Sequence, residues 1–232
     1  MQNEREPMAR CAVFDVDGTL VDSNYQHVLA WHRAFLRYDV PQPLWQIHRH
    51  LGMGGDKLVA AVAGAAVEEA HGEAIRQRWK QEFDELIGEV VAVPAATELL
   101  TAVKESGATL VLASSGKPDH VEHFLDLLEA RDLADAWTTS EDVEDTKPDP
   151  DLLAVALERV SSPTAVAFGD STWDAVAAGR LGLPAVEVRT GGFGVDELRA
   201  AGAVEVFDSL PDVVADLKRL LALATSPGPA AG

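Results

Sequence analysis

Four short groups of polar residues contain the side chains of this sequence that could carry out chemistry. They read DVDGT at 15–19, SSG at 114–116, KPDP at 147–150 and GDSTWD at 169–174. The acids Asp15, Asp17 and Asp170 would repel one another if folding brought them together, unless a cation lay among them. Carboxylate oxygens with no histidine or cysteine in the same motifs favour Mg²⁺. Such a site is typical of phosphoryl transfer, in which a carboxylate attacks phosphorus.

The pattern from Thr109 onward indicates the elements that position these groups. Short β-rich runs (TLVLASS, DAWTTS, TAVAFGD, PAVEVRT and VEVFDS) alternate with helix-length segments (DHVEHFLDLLEA, PDLLAVALERV and TWDAVAAGRLG). This alternation predicts an α/β fold with a Rossmann-like parallel sheet covered on both faces, and CAVFD at 11–15 is its first predicted strand. The four polar groups then fall at the carboxyl ends of strands, where open parallel sheets bind ligands.

The segment between Asp22 and about Pro94 has a different pattern. Stretches such as NYQHVLAWHRAFLRYD and DKLVAAVAGAAVEEAHGEAIRQRWKQEFDELI have helical periodicity, with no strand-like run between them. The sequence therefore predicts an all-helical cap domain, inserted after the first strand and lying over the carboxyl ends of the sheet. The predicted organisation is a flexible tail at 1–9, the core at 10–22 and 94–223, the cap at 23–93 and a flexible tail at 224–232.

Composition excludes several classes of partner. The chain of 232 residues has a formal net charge of −19, which would repel nucleic acid and anionic membranes. No apolar run approaches the roughly 18 residues needed to span a bilayer, and the start, MQNEREPMAR, lacks the apolar core of a signal peptide. We therefore expect a cytoplasmic protein that binds neither nucleic acid nor membrane. Both a monomer and a homodimer fit the sequence.

The four groups, in this order and at these spacings, resemble the motifs of the haloacid dehalogenase superfamily, and the resemblance covers 12 to about 217. The spacing from Asp15 to His27 is similar to that of the branch with a small helical cap, which includes beta-phosphoglucomutase and phosphatases. The resemblance implies that Asp15 is the nucleophile and Asp17 the acid–base catalyst, and that Asp15, Asp17 and Asp170 hold Mg²⁺, with Asp17 ligating through its backbone carbonyl. A neighbouring negative charge and partial burial would raise the pKa of Asp17 towards its task.

The resemblance also assigns residues to the phosphate. Lys147 neutralises charge on the nucleophile and the phosphoryl group, and Ser114 donates a hydrogen bond to a phosphoryl oxygen, with Ser115 as the alternative donor. Gly18 and Gly116 let backbone N–H groups approach the phosphate closely. Supporting roles around these residues are expected for Thr19 and Asp174.

Candidate substrate contacts also lie in the predicted cap. His27 and Trp31 are four residues apart, so they share one face of the first cap helix. For Trp31 we expect packing inside the cap, whereas for His27 packing and substrate contact are both open. Arg49 and Lys57 flank a glycine-bearing loop, and such loops in relatives reach over the active site. These two are the cations that a small anionic substrate requires, and at least one is expected to contact it.

These features predict a Mg²⁺-dependent phosphatase that hydrolyses a small phosphorylated metabolite, a sugar phosphate or a phosphoglycolate-like acid, through an aspartyl-phosphate intermediate. A phosphosugar mutase of the beta-phosphoglucomutase type shares every motif and is the alternative. The stretch GMGGD at 52–56 lacks the side-chain cation that such mutases carry there, which favours the phosphatase. A haloacid dehalogenase is less consistent with the sequence, because those enzymes lack the second acid that Asp17 supplies.

Overall fold

The computed structural model describes residues 10–162 and 164–226. In chain order, the strands are β1 (Arg10–Phe14), β2 (Val21–Asp22), β3 (Val91–Ala92), β4 (Thr109–Ala113), β5 (Ala136–Thr138), β6 (Thr164–Gly169), β7 (Ala185–Val188) and β8 (Ala203–Phe207). The α-helices are α1 (Asn24–Arg37), α2 (Leu44–His48), α3 (Gly55–Ala63), α4 (Ala65–Leu86), α5 (Ala96–Glu105), α6 (Pro118–Leu127), α7 (Asp151–Val160), α8 (Thr172–Arg180), α9 (Val195–Ala201) and α10 (Leu210–Leu221). None of these helices is long and apolar enough to cross a membrane.

Six of the strands form one parallel sheet in the order β5-β4-β1-β6-β7-β8. Strand β1 lies inside the sheet, paired with β4 on one side and β6 on the other, because every residue after Arg10 in its sequence RCAVF is buried. From β1 the chain adds β4 and β5 on one side of the sheet and then β6, β7 and β8 on the other side. Open α/β sheets bind ligands at the carboxyl ends of the strands where the direction of strand addition changes in this way. The predicted Rossmann-like α/β fold is confirmed.

The alternation of side chains along the strands divides the apolar core into two layers. Ala12 and Phe14 belong to one layer, in which the ring of Phe14 stacks on that of Phe168 with 4.4 Å between their centroids. Cys11 and Val13 belong to the layer on the opposite face. Burial raises the pKa of the Cys11 thiol to about 12, so this cysteine acts as an apolar core residue.

Helices α1 to α4 occupy the segment predicted as the cap, and below we use "cap" for 23–93 and "core" for the other described residues. Stacked rings join α1 to α4: the ring centroids of Trp31 and Trp79 are 4.8 Å apart, and those of His27 and Phe83 are 3.8 Å apart. The expectation of helices alone missed β2 and β3, which pair antiparallel where the chain enters and leaves the cap. This two-stranded ladder holds both connections side by side.

The described part of the chain extends past the predicted end of the core at 223. Thr225 exchanges two backbone hydrogen bonds with Ala165, of 2.8 and 3.0 Å, and so lies beside β6. The predicted tail at 1–9 and the remainder of the tail at 224–232 lie outside the described residues. Sequence periodicity did not predict the helices α5, α9 and α10. Helix α10 packs against α5 on one face of the sheet.

Candidate active site

Asp15 is the first residue after β1 and lies at the centre of the site. Its backbone N–H donates to the carbonyl of Phe168 at 2.9 Å, so pairing with β6 holds it in place. Its buried carboxylate accepts a hydrogen bond from Lys147 Nζ at one oxygen and from Thr19 Oγ1 (3.2 Å) at the other. Lys147 lies in the loop between β5 and α7 and also pairs with Asp174 at 2.6 Å. One buried ammonium group therefore bridges two buried carboxylates.

A cluster of buried carboxylates forms where β1 and β6 end. Asp15, Asp170 and Asp174 each offer an oxygen atom, and these atoms lie within 4.8 Å of one another. Hydrogen bonds from Thr19 Oγ1 and Asn24 Nδ2, both 3.0 Å long, orient Asp170. Carboxylate oxygens are the ligands that hard divalent cations prefer. The residues present therefore fit a divalent metal ion.

The pKa values of this cluster reflect the burial of its carboxylates first and their closeness to one another second. Burial raises the pKa of Asp15 to about 7; Lys147 opposes the rise, and the carboxylates of Asp174 and Asp17 add to it. Burial likewise raises the pKa of Asp170 well above its usual range. For Lys147, burial favours a lower pKa, but its two carboxylate partners raise the pKa above the usual value. A divalent cation among these oxygens would favour the ionised carboxylates.

Two glycines leave room for the Asp170 side chain. A Cβ atom at Gly191 or at Gly18 would overlap Asp170 Oδ2. Gly18 also has a φ of +82°, and its N–H donates to the carbonyl of Val21 at 2.8 Å in the turn after β1. Glycine at position 18 thus suits both the turn and the adjacent carboxylate. Its amide is engaged within the turn, whereas the sequence interpretation assigned it to phosphate.

Asp17 has different surroundings from the carboxylate cluster. Its Oδ1 accepts a hydrogen bond from Ser23 Oγ (2.7 Å) and lies 3.0 Å from His27 Nε2, and its Oδ2 lies 3.4 Å from Ser114 Oγ. Burial alone would raise the pKa of Asp17, but the contacts with His27 and Ser23 outweigh burial and hold the pKa below its usual value. The expected rise is wrong for this arrangement, because the sequence does not show which polar groups the fold brings to Asp17.

The second motif follows β4 directly. Ser114 is buried, and its Oγ accepts a hydrogen bond from the Gly116 N–H at 2.9 Å. Ser115 and Gly116 line a cavity that is also lined by Asp15 and Asp17. Among the residues that the structure describes, Ser115 Oγ has no hydrogen-bond partner. Both serines therefore lie at the site, and the choice between them as donor to a phosphoryl oxygen stays a prediction.

Asp174 connects the fourth motif to the helix that follows it. Ser171 is the N-cap of α8: its Oγ accepts from the Asp174 N–H at 3.4 Å, and Asp174 Oδ2 accepts from the Ser171 N–H at 3.2 Å. This capping box fixes the Asp174 side chain, while Oδ1 pairs with Lys147. The geometry gives Asp174 a means of holding Lys147 in place.

Comparison with known proteins identifies the family. A family model described as haloacid dehalogenase-like hydrolase matches residues 12–188. The chain belongs to this family. This hydrolase is 30% identical over 197 residues to validoxylamine A 7'-phosphate phosphatase of Streptomyces hygroscopicus subsp. limoneus, covering 79% of this chain and 87% of the relative. It is 29% identical over 227 residues to a phosphoglycolate phosphatase of Caulobacter vibrioides, covering 94% of each chain.

A solved structure supports the same assignment. The crystal structure of a hydrolase from Pseudomonas syringae is similar to this hydrolase with a TM-score of 0.86 and 31% identity, covering 91% of this chain and 99% of that one. Together with the phosphatases above, this similarity makes the chain a phosphoric monoester hydrolase of the haloacid dehalogenase-like family. The family and the enzyme class predicted from the motifs are confirmed.

His27 and Trp31 of the cap line the cavity at Asp15 in this hydrolase. Trp31 is 3% exposed and packs in the apolar core, and one edge of it also forms part of the cavity wall. His27 stacks on Phe83 and places Nε2 beside Asp17. The His27 ring therefore links the packing of the cap to the second carboxylate of the site.

Arg49 and Lys57 lie elsewhere than the sequence interpretation expected. Arg49 pairs with Glu197, and Lys57 pairs with Asp145, so each forms an ion pair between cap and core. Neither residue lines the cavity at the nucleophile. In this structure the two cations connect the cap to the core, because each is engaged by a carboxylate of the core, and they do not line the cavity at Asp15.

Sequence reasoning missed three residues at or beside the site: Asn24, Trp79 and Glu187. Glu187 is a buried acid of β7, and in the pairing of β6 with β7 it lies opposite Gly169, the residue before Asp170. Burial and then the carboxylates of Asp174 and Asp170 raise the pKa of Glu187 well above its usual range. Its Oε2 has no hydrogen-bond partner among the described residues. A single acid within the apolar run PAVEV is the sequence signal for it.

The raised pKa of Asp15 predicts how stability depends on pH and metal. Because the folded-state pKa of about 7 lies above the ordinary value of 3.8, the metal-free fold loses stability as the pH rises through this interval. Mg²⁺ would remove that penalty, so we expect it to raise the melting temperature more at about pH 8 than at about pH 5. Thermal denaturation in chelator and in Mg²⁺ measures the effect, and Asp170→Asn should reduce it. An equal Mg²⁺ effect at both pH values would contradict this prediction.

Proposed function

We propose that this phosphatase hydrolyses a small phosphorylated metabolite, a sugar phosphate or a phosphoglycolate-like acid, with Mg²⁺ and through an aspartyl-phosphate on Asp15. One observation carries the proposal: Asp15 is held by Lys147, while Asp17 is held separately by His27, and both carboxylates lie at the wall of one cavity. Two carboxylates in different surroundings suit two different roles, those of nucleophile and acid–base catalyst.

Asp15 acts as the nucleophile in the first half of the proposed reaction. A carboxylate oxygen of Asp15 bonds to phosphorus, the bond from phosphorus to the ester oxygen breaks, and the electron pair leaves with that oxygen. The Lys147 ammonium group contacts Asp15 and lies where it can offset the charge of the phosphoryl group during transfer. A hydroxyl of Ser114 or Ser115 supplies a hydrogen bond to a phosphoryl oxygen.

Asp17 moves the proton in both halves of the reaction. It gives a proton to the departing ester oxygen and then takes one from the water that attacks the phosphoryl group. The bond from phosphorus to Asp15 breaks in that second step, which releases inorganic phosphate and restores the Asp15 carboxylate. A phosphate dianion beside Asp17 adds like charge, which raises the pKa of a carboxyl group and so favours the acid form when substrate is bound. The contact with His27 orients the carboxyl group for this transfer.

Mg²⁺ is held in this proposal by carboxylate oxygens of Asp15 and Asp170 and, as the family resemblance implies, by the backbone carbonyl of Asp17. When bound, the ion would offset the negative charge of the phosphate oxygens and orient them for transfer. The two oxygens of Asp174 are engaged by Lys147 and Ser171, at 2.6 and 2.5 Å. Asp174 therefore positions Lys147 beside the metal ligands.

The cavity at the nucleophile favours a phosphatase over a mutase. A mutase holds a second phosphate group, yet the cap loop contributes Leu51, Gly52, Met53 and Gly55 to this cavity and no cation. With a bisphosphate primer present, we expect phosphate release and no conversion of glucose 1-phosphate to glucose 6-phosphate. Isomerisation faster than phosphate release by about 10-fold, or about 1.4 kcal/mol in activation free energy, would favour the mutase.

A phosphate-release screen over phosphorylated metabolites tests the proposed function. We expect release with Mg²⁺, loss of release in chelator and recovery when Mg²⁺ is restored. Asp170→Ala should raise the Mg²⁺ concentration needed for half-maximal rate, whereas Asp132→Ala, at an exposed carboxylate, should leave it unchanged. Undiminished release in chelator would contradict the metal role, and no release from any phosphomonoester would contradict the function.

A further inference from the structure

A second, larger cavity adjoins the cavity at the nucleophile. The inner cavity, at Asp15, has a volume of about 60 Å³, and the outer cavity has a volume of about 470 Å³. Gly55, Trp79 and Ser115 line both of them, so the two are neighbours across these residues. A phosphoryl group at Asp15 lies in the inner cavity. The outer cavity is therefore where the rest of a larger phosphomonoester extends.

Among the described residues, no lysine or arginine lines the inner cavity to bind a second anionic group of a substrate. Its lining includes the carboxylates of Asp15 and Asp17. Three ring-bearing residues, His27, Trp31 and Trp79, also line it. A carboxylate close to the phosphate, as in phosphoglycolate, would lie in this cavity without a lysine or arginine partner and would add a further negative charge beside the phosphate and Asp15.

The outer cavity is polar and carries an excess of negative charge. Its charged lining residues are the acids Asp56, Glu73, Glu141 and Glu144 and the cations Arg76, Lys80 and Lys117. Arg76 pairs with Glu68 and Glu73, Lys80 pairs with Asp84 and Asp119, and Lys57 lies 3.9 Å from Asp56, so with these neighbours included the carboxylates still outnumber the cations. The resulting negative potential disfavours a leaving group that carries its own negative charge and does not disfavour a neutral leaving group.

Neutral hydrogen-bonding groups also line the outer cavity, at Gln77, Ser115, Ser140 and Thr146. The hydroxyl oxygens of Ser115 and Ser140 are withdrawn from solvent and have no hydrogen-bond partner among the described residues. Buried polar groups normally have a partner, and rotation about one side-chain torsion turns a serine hydroxyl towards a ligand. Hydroxyl and amide groups beside the ring of Trp79 match a ligand that carries several hydroxyl groups on a carbon ring.

We propose that the substrate of this site is the monophosphate of a neutral polyhydroxylated ring, a sugar or a cyclitol, whose hydroxyl groups occupy the outer cavity. The inference rests on the phosphatase activity proposed above and narrows its substrate class. Of the two classes considered there, sugar phosphates fit both cavities and phosphoglycolate-like acids do not. Gln77 and Ser140 then act as specificity residues, because they line only the outer cavity.

The test compares kcat/KM for hexose monophosphates, an inositol monophosphate, phosphoglycolate and acetyl phosphate. The kcat/KM for the best ring phosphate is expected to exceed that for phosphoglycolate by about 10-fold or more. Phosphoglycolate lacks the ring hydroxyl groups that would form several hydrogen bonds, and its carboxylate would have no lysine or arginine partner. Gln77→Ala and Ser140→Ala should each lower kcat/KM for that substrate by about 3- to 10-fold. Both variants should leave acetyl phosphate unaffected, because it is too short to reach the outer cavity.

Gln81→Ala is the matched control, since Gln81 lies on α4 like Gln77 but does not line either cavity. It should leave kcat/KM unchanged for both substrates. Phosphoglycolate as the preferred substrate, or equal losses on acetyl phosphate and the ring phosphate in the Gln77 variant, would overturn this inference and leave the phosphatase intact. No phosphate release from any of these compounds would overturn the proposed function itself.

Discussion

Asp15→Asn is expected to lower kcat for phosphate release by at least about 10³-fold, because the amide cannot attack phosphorus. The variant should still fold. Asparagine has nearly the same shape as aspartate, and its carbonyl oxygen can accept the hydrogen bond that Lys147 or Thr19 now donates. It also removes one of the buried like charges at the ends of β1 and β6. The substitution should therefore lower the catalytic rate without lowering the stability of the fold.

Single-turnover phosphate release measures this loss, and circular dichroism with thermal denaturation checks the fold. Asp22→Asn is the matched control, because Asp22 is an exposed acid of the same segment. It should retain nearly the full rate. Turnover by the Asp15 variant within about 10-fold of the wild type would exclude a covalent role for this carboxylate.

Asp17→Asn is expected to lower kcat on a sugar monophosphate by about 10²- to 10⁴-fold, the usual contribution of a positioned acid–base group. Formation of the phosphoenzyme from acetyl phosphate should be less affected, because its leaving group departs without protonation. Breakdown of the phosphoenzyme should be slow with every substrate, since the amide cannot take a proton from water. Rapid-quench kinetics with acetyl phosphate should therefore show a burst of phosphoenzyme formation, followed by slow release of phosphate.

Ser23→Ala helps to distinguish acid–base catalysis by Asp17 from a purely structural role of this residue. Ser23 donates a 2.7 Å hydrogen bond to Asp17, and its loss leaves the carboxyl group in place beside His27. We expect a decrease in kcat of about 3- to 10-fold, the effect of one neutral donor on a charged acceptor. If Asp17 served only to hold Ser23 and His27, the asparagine variant would keep most of its activity and show no burst. That result would contradict acid–base catalysis.

The sequence predicted the parts of the site that depend on local order along the chain. Asp15, Ser114 and Asp170 each follow directly after an apolar run, and such runs form the adjacent strands β1, β4 and β6. Because parallel strands end at one edge of the sheet, the position of each residue after its strand is enough to bring them together. Lys147 was predicted from its motif, although it lies in a loop well after β5.

The remaining features depend on contacts between distant parts of the chain. The side chains of Arg49 and Lys57 are long enough to reach several carboxylates, and only the folded arrangement shows that Glu197 and Asp145 are their partners. Glu187 lies beside the site because β7 follows β6 in the sheet, an order that periodicity does not reveal. The pKa of Asp17 depends on nearer groups, Ser23 and His27, but their contacts with Asp17 form only when the turn after β1 and the start of α1 fold back towards it.

The most direct test of the covalent mechanism is to locate the phosphoryl group on the protein. Asp17→Asn protein is mixed with acetyl phosphate and Mg²⁺, quenched in acid, digested and analysed by mass spectrometry. We expect one added phosphoryl group on the peptide that contains Asp15, and none when Asp15→Asn is combined with Asp17→Asn. Rapid phosphate release with no phosphoryl group on that peptide, or with the group on another residue, would contradict this mechanism.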